Sequence, residues 1–337
     1  MSAHARPQPE ATDSGFTLVE LLVVVAIIAL LVAILLPMLD GARRQATTVR
    51  CQAQQGGIAK ASAAYQSEEN GWLPGSPGTS GSVLLADRYD GAPDTFEHMP
   101  DPPVQIWDWA GPLARQMKIG LPANRGDRFG VLVTGVFECP ANYFRAVPYY
   151  TSGIGPVGTF KAQRMVSYNT LRQFMSWPST AGAPNTECVY TVSGAQLARD
   201  YLPRIDRLGS PSENVFLSDG SRFVNATGGL DFDIGWRAEF GGAFSDGGPT
   251  IPDNFLRSFW RYDPQRRFAY RHPRGKAQGL VAVYFDGHSA YLSESESRNP
   301  DPWWPRGTRL ARDEFNEDSY AKIKDAFNGM SFYTVQR

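Results

Sequence analysis

The 337-residue sequence has little cysteine and no excess of charge of either sign. Its three cysteines, Cys51, Cys139 and Cys188, form no Cys-x-x-Cys pair, so their spacing gives no support for a zinc ribbon or a thioredoxin-like site. With 33 basic and 34 acidic side chains, the chain also lacks the basic surplus of a general nucleic-acid-binding protein. We therefore expect no nucleic-acid partner.

The sequence also lacks the short motifs that mark common enzyme classes. No Gly-x-Ser-x-Gly, Walker or His-Glu-x-x-His pattern occurs. His272 and His288 would form a metal or acid/base pair with Asp286 if the last hairpin brought them together. A turn alone explains Asp286, however, and a strand edge explains His288. We predict a protein that is not an enzyme and that has no metal and no cofactor.

Calcium is the one ion that the composition leaves open. Asp231 and Asp233 flank Phe232, and Asp246 and Asp253 lie in a second acidic stretch. Their spacing fits no EF-hand loop. An exposed acidic loop is the alternative interpretation of both stretches.

The most informative feature that the sequence does contain is a long apolar run near the N-terminus. Residues 16–36 would form a helix of about 31 Å, the thickness of the hydrocarbon core of a bilayer. Glu20 lies inside this run, where an acidic side chain is costly and by default marks a function. Gly15 precedes the run, whereas a secretory signal has its small-residue cleavage site after the apolar region.

The segment Gly15-Phe16-Thr17-Leu18-Val19-Glu20, followed by an unbroken apolar helix, resembles the N-terminal signal of type IV pilins and type II secretion pseudopilins. The resemblance implies that a prepilin peptidase cuts between Gly15 and Phe16 and that the new Phe16 amine is methylated. It also implies that Glu20 pairs with the Phe16 amine of a neighbouring subunit. Pairing two buried charges across subunits would fix the axial register of a filament.

The hydrophobic pattern continues beyond the apolar run with small residues at helical spacing. It predicts one helix from about Phe16 to about Ser67, bent near Pro37 and ended by Asn70-Gly71. We divide the chain into a leader (1–15), a transmembrane and assembly helix (16–37), an amphipathic continuation (38–70) and a globular domain (71–337).

The globular domain is expected to be an antiparallel sheet with loop-rich insertions. Asp219-Gly220 and Asp286-Gly287 each lie between apolar runs, the strongest short hairpin signal. Further elements are predicted from composition: a short helix carrying Trp107, Trp109, Leu113 and Met117, strand and turn structure over 131–140, and a closing helix from Asp313 to Asn328. The predicted fold class is α+β and pilin-like, with the long helix packed on the sheet.

Three further segments resemble pilin-like proteins: the stretch from Cys51 to Pro74, the Phe-x-Cys-Pro piece at 137–140, and His272 followed by Asp286-Gly287. The last is usually written with nine intervening residues and has a longer spacing here. An exported domain with three cysteines can form one disulfide, for which we predict the pair Cys51 and Cys139.

The resulting hypothesis is a structural subunit, most simply a pseudopilin, in a type II secretion or type IV pilus-like filament. Its expected partners are prepilin peptidase, other pilin or pseudopilin subunits and the inner membrane. It would be a single-pass protein with its C-terminal domain periplasmic or extracellular, although Arg43, Arg44 and Arg50 would favour the opposite orientation by charge alone. The alternative is a membrane-anchored carbohydrate- or ligand-binding module that uses aromatic side chains such as Trp107 and Trp109.

Overall fold

A single long helix opens the structure, a computed structural model that describes residues 17–76, 78–79, 104, 107–122, 125–143, 145–149, 163–164, 166–179, 194–220, 231–233, 244–246, 248–250 and 269–336. Helix α1 spans Leu18–Glu68 and passes through Pro37. The predicted long N-terminal helix is therefore confirmed. The chain divides into two units, Met1–Ala46 and Thr47–Arg337, so the division falls inside the segment predicted to be the amphipathic continuation.

The first unit presents its apolar side chains outward. The large aliphatic residues from Leu18 to Leu39 are between 44% and 78% exposed. Within the described part of the chain, α1 is the one helix long and apolar enough to cross a membrane. An apolar surface of this extent marks a membrane or a protein partner.

The second unit is a mixed α+β domain, whose elements follow in chain order. The further helices are α2 (Ala110–Gln116), α3 (Arg125–Leu132), α4 (Arg172–Met175), α5 (Glu294–Ser297) and α6 (Glu317–Phe327). The strands are β1 (Arg145–Tyr149), β2 (Gln163–Arg164), β3 (Tyr168–Leu171), β4 (Ala195–Gln196), β5 (Val215–Asp219), β6 (Asp231–Asp233), β7 (Ser245–Asp246), β8 (Gly279–Tyr284), β9 (Ser289–Ser293), β10 (Arg309–Ala311) and β11 (Phe332–Thr334).

The principal sheet has five strands in the order β7-β3-β5-β8-β9. Its pairs are antiparallel except for β3 with β7. The C-terminal part of α1 packs on this sheet, because Ile58 is fully buried and the Gln55 side-chain amide donates to the Val281 carbonyl on β8 at 3.3 Å. Two three-stranded sheets, β2-β1-β6 and β11-β10-β4, complete the strand pairing among the described residues.

The structure agrees with one of the two hairpins predicted from Asp-Gly pairs and disagrees with the other. The hairpin around Asp286-Gly287 is confirmed, since β8 and β9 pair directly and Gly287 has the positive φ of 93° that such a turn requires. The prediction of a hairpin around Asp219-Gly220 is wrong. Strand β5 has β3 on one side and β8 on the other, so neither edge is left for residues 221–224, which lie outside the described residues.

Residues 131–140 also differ from the prediction. In place of a strand, α3 ends at Leu132 and a short 3-10 helix covers Gly135–Phe137. The physical reason is that Phe129, Leu132 and Val133 recur at helical spacing and are all buried. The closing helix is shorter than predicted: α6 begins at Glu317, where the Asn316 side chain accepts a hydrogen bond from the Ser319 backbone N–H.

The tryptophans before α2 are core residues. Trp107 and Trp109 are 2% and 1% exposed, and the Trp109 ring N–H donates to the Phe244 carbonyl at 2.8 Å. The helix starts at Ala110 rather than at Trp107, because the Asp108 carboxylate accepts the Gly111 backbone N–H at 2.9 Å. Neither indole is available to stack on a sugar.

Gly75 provides a test of the packing between the end of α1 and the start of α2. It has a φ of 80°, and a Cβ built on it would lie 2.8 Å from the backbone of Asp108 and Trp109. We expect Gly75→Ala to lower the free energy of unfolding by about 1–3 kcal/mol, since both backbones must shift. Denaturant titration of the full chain in detergent, followed by tryptophan fluorescence, measures the change.

Gly57→Ala is the matched control. Gly57 lies inside α1, and a Cβ there meets no atom within 4 Å. The same substitution should therefore leave the stability unchanged or raise it by up to about 1 kcal/mol. Equal losses at Gly57 and Gly75 would contradict the predicted clash.

Candidate functional site

The N-terminal end of α1 is held by a reciprocal pair of side chains. Thr17 precedes the helix, and its backbone N–H and its hydroxyl donate to Glu20 Oε2 at 2.9 and 2.7 Å. The Thr17 hydroxyl in turn accepts the Glu20 backbone N–H at 3.3 Å. This is a capping box, in which the third helical residue reaches back to the residue before the helix. Glu20 thus has partners within its own chain.

The residues predicted to be processed adjoin this capping box. Gly15 and Phe16, together with the leader, lie outside the described residues. Thr17, immediately after them, caps the helix, which begins at Leu18. The cleavage and methylation predicted at Gly15 and Phe16 stay predictions.

A second group of reactive side chains lies in the interior of the second unit. Cys51 comes from α1, Cys139 from the turn after the 3-10 helix, Asp219 from β5 and His272 from the segment before β8. One ligand-type atom from each residue lies within 4.8 Å of those of the others, and all four residues are buried. The backbone N–H of His272 donates to the Gly279 carbonyl at 3.0 Å, which holds this segment beside β8.

Asp219 is the anionic centre of the buried group. Its Oδ2 lies 3.1 Å from His272 Nε2 and accepts the Val281 backbone N–H at 2.7 Å. Its Oδ1 lies 3.1 Å from the Arg271 guanidinium, whose side chain is 2% exposed. Burial alone would raise the pKa of Asp219, but His272 and Arg271 hold it below its usual value.

The pKa values of the groups around Asp219 are shifted as well. Burial opposes charge on His272, but the Asp219 carboxylate outweighs it and raises the pKa of His272 to about 9. Burial raises the pKa of Cys51 well above its usual value. For Cys139 burial acts in the same direction, yet hydrogen bonding from Cys51 and the charge of Arg271 lower its pKa to about 6. The buried Asp219 carboxylate thus faces the positive charges of Arg271 and His272.

The structure brings the two predicted disulfide partners together but records both as free thiols. The Cys51–Cys139 bond stays a prediction, and each sulfur also has a further polar partner in this structure. Cys51 Sγ lies 3.5 Å from Asp219 Oδ1, and Cys139 Sγ lies 3.4 Å from His272 Nε2. Cys188 lies outside the described residues.

The suggested pair of His272 and His288 does not form a joint site, because each histidine has its own carboxylate. His288 Nδ1 lies 2.7 Å from Asp286 Oδ1 at the exposed hairpin turn, whereas His272 is 1% exposed and bound to Asp219. The acidic stretches considered for calcium cannot be placed: Asp253 and the side chains of Asp231, Asp233 and Asp246 lie outside the described residues.

Sequence reasoning missed Asp219 as a site residue and Thr17 as the partner of Glu20. The Asp219-Gly220 pair had the pattern of a turn, which concealed a buried strand residue. A signal for Thr17 was present in the Thr-x-x-Glu spacing before an apolar run. The resemblance of the segments around Cys51, Cys139 and His272 to pilin-like proteins did point to the three other members of the group.

A comparison with protein-family models matches the N-terminal part of the chain. Residues 11–36 match the family model described as the prokaryotic N-terminal methylation motif. The match includes Gly15, Phe16 and Glu20 and supports a type IV pilin-like protein. No curated protein and no solved structure matches the chain.

Asp219→Asn tests the electrostatic account of the buried group. The change keeps the shape of the side chain but leaves Arg271 without its buried counter-charge, so we expect the free energy of unfolding to fall by about 3–5 kcal/mol. Chemical denaturation of the full chain in detergent measures the loss.

Asp286→Asn is the control, because it also removes the carboxylate partner of a histidine, but at an exposed turn. The side chains of His288 and Asp286 are 47% and 37% exposed, and such pairs contribute less than about 1 kcal/mol. A loss at Asp219 no larger than the loss at Asp286 would show that Arg271 and His272 do not depend on the buried carboxylate.

Proposed function

We propose that this type IV pilin-like chain is a filament subunit of a type II secretion or type IV pilus-like system. The observation that carries the proposal is the methylation motif over residues 11–36, which coincides with an exposed apolar helix that begins at the capping box of Thr17 and Glu20. The chain is then a structural protein of the inner membrane, and its C-terminal domain is periplasmic or extracellular.

The exposed apolar side chains of α1 fit the two environments of such a subunit. Before assembly, the side chains from Leu18 to Leu39 would be covered by lipid, which removes their apolar surface from water. In a filament, the helices of neighbouring subunits would take the place of lipid. A surface that is uniformly apolar suits both, because neither environment offers many hydrogen-bond partners.

Glu20 is the polar exception and would act at the contact between subunits. A carboxylate that already accepts two hydrogen bonds from Thr17 is held at a defined place at the helix start. A carboxylate has lone pairs for further donors, so the Phe16 ammonium of a neighbour can be added without breaking the capping box. The pair would fix the axial position of one subunit on the next.

Processing is tested first. In a host that contains prepilin peptidase, we expect the mature protein to begin at Phe16 and to carry one added methyl group. Gly15→Val should keep residues 1–15, because a branched side chain is placed at the scissile bond. N-terminal sequencing and intact mass measure both, and Ser14→Ala is the control, which should be processed normally. A wild-type protein that keeps its leader would overturn the proposal.

Assembly is tested by separating the charge of Glu20 from its capping role. Glu20→Gln keeps the capping box, since Gln also serves at this position, but removes the charge. We expect its processing to be normal and its incorporation into filaments to be lost, as for Glu20→Ala. Co-isolation of tagged and untagged subunits from membranes measures incorporation.

Thr17→Ala provides the opposite change. It removes the capping hydroxyl, a loss of about 1 kcal/mol at the helix start, and retains the carboxylate. Incorporation should persist in this variant. Normal assembly of Glu20→Gln together with failure of Thr17→Ala would assign the role of Glu20 to the helix start and not to a neighbouring amine.

A further inference from the structure

The buried group formed by Cys51, Cys139, Asp219 and His272 has the composition of a metal site. Two thiols, an imidazole and a carboxylate are ligands of zinc, which prefers four of them in tetrahedral structural sites. The exposed fractions of the residues are 0%, 0%, 0% and 1%, so no position is open to solvent. We propose that this group binds one structural zinc ion, in place of the metal-free interior expected from cysteine spacing.

Three of the distances between the ligand atoms are close to the edges of one tetrahedral site. Zinc lies about 2.3 Å from sulfur and about 2.0–2.1 Å from nitrogen or oxygen, which gives tetrahedral edges of about 3.3–3.8 Å. The edge from Cys139 Sγ to His272 Nε2 is 3.4 Å, and that from Cys51 Sγ to Asp219 Oδ1 is 3.5 Å. The edge from His272 Nε2 to Asp219 Oδ2 is 3.1 Å. The two edges to Asp219 end on different oxygens, and all four ligand atoms lie within 4.8 Å of one another, so an ion would draw the more distant pairs closer together.

The surrounding side chains orient these ligands as they do in metal sites. Thr48 Oγ1 lies 3.1 Å from His272 Nδ1, so this ring nitrogen can donate to the hydroxyl and leave Nε2 as the ligand. Gln55 Nε2 donates to Cys51 Sγ at 3.6 Å. A donor of this kind stabilises a thiolate.

Charge balance also permits a divalent ion. Two thiolates and Asp219 together carry three negative charges. A zinc ion and the guanidinium of Arg271, which lies 3.1 Å from Asp219 Oδ1, neutralise them, and His272 is then a neutral ligand. Zinc therefore takes the place of protons on its ligands and leaves the Arg271 pair in position.

The consequence for the fold is a link between four separate parts of the chain. Cys51 belongs to α1 and Asp219 to the central strand β5, whereas Cys139 and His272 lie on connecting segments. A single ion would fasten the helix to the sheet and both connections to each other. Because an unfolded chain has no such site, the free energy of binding adds to the stability of the fold.

The experiment measures metal in the full chain, solubilised in detergent and purified without chelators. We expect about one zinc ion per chain by elemental analysis. Cobalt(II) exchanged into the site should give the sulfur-to-cobalt charge-transfer absorption and the intense visible bands of a tetrahedral thiolate site. Cys51→Ser and Cys139→Ser should lose the ion and the charge-transfer absorption, and Cys188→Ser should keep both. His272→Ala should lose the ion, and His288→Ala should keep it.

A second measurement covers variants that fail to fold. Removal of metal from the wild-type chain by a strong chelator should lower its melting temperature, and zinc, but not magnesium or calcium, should restore it. Three results would overturn the proposal: no zinc or cobalt bound by the reduced wild type, undiminished binding in folded Cys51→Ser and Cys139→Ser variants, or a Cys51–Cys139 disulfide in protein isolated without reductant.

Discussion

The buried carboxylate of Asp219 is the interaction on which the second unit depends. It is the anion between two cationic side chains, Arg271 and His272, and it also accepts a backbone N–H from β8. Arg271 extends this network, because its guanidinium donates to the carbonyls of Gly220 and Ser167 at 2.8 and 2.5 Å. One carboxylate thus ties the ends of β3 and β5 to the start of β8. Charges buried this deeply are tolerated only as a paired set.

Helix α1 is continuous in hydrogen bonding but not in environment. Up to Leu39 its large side chains are exposed and apolar, whereas from Cys51 onward one face carries the small and polar residues Gln55, Ala59 and Ser62, all buried. Small side chains let a helix approach a sheet closely, and the polar ones bond to it, as Gln55 does to Val281. The sequence change along one helix therefore separates an exposed apolar surface from a surface that packs in the chain's own core.

The fold was predictable where local pattern and tertiary structure agree. The apolar run and the small residues after it predicted α1, and Asp286-Gly287 predicted the β8–β9 hairpin. Asp219-Gly220 has the same dipeptide between similar apolar runs, but β5 already has neighbours on both sides. No local pattern distinguishes the two, because the difference lies in residues distant in sequence, such as Tyr168 and Ala282, that pair with β5. The buried group was hidden for the same reason, since its four members are contributed by separate segments.

Glu20 is an acidic residue in an apolar run, which suggests a function, but it also caps the start of its own helix. The pair Ser293 and Glu296 at the start of α5 has the same arrangement, with Ser293 N–H and hydroxyl donating to Glu296 Oε2 at 2.8 and 2.6 Å. There the carboxylate is part of the globular domain and serves as a cap. The cost of an acidic residue in the apolar run is therefore reduced before any partner arrives, since Thr17 and the positive end of the helix already stabilise it. In the proposed filament, an ammonium from a neighbouring subunit would meet a carboxylate that is already held in place. The pair would then set the register that incorporation requires.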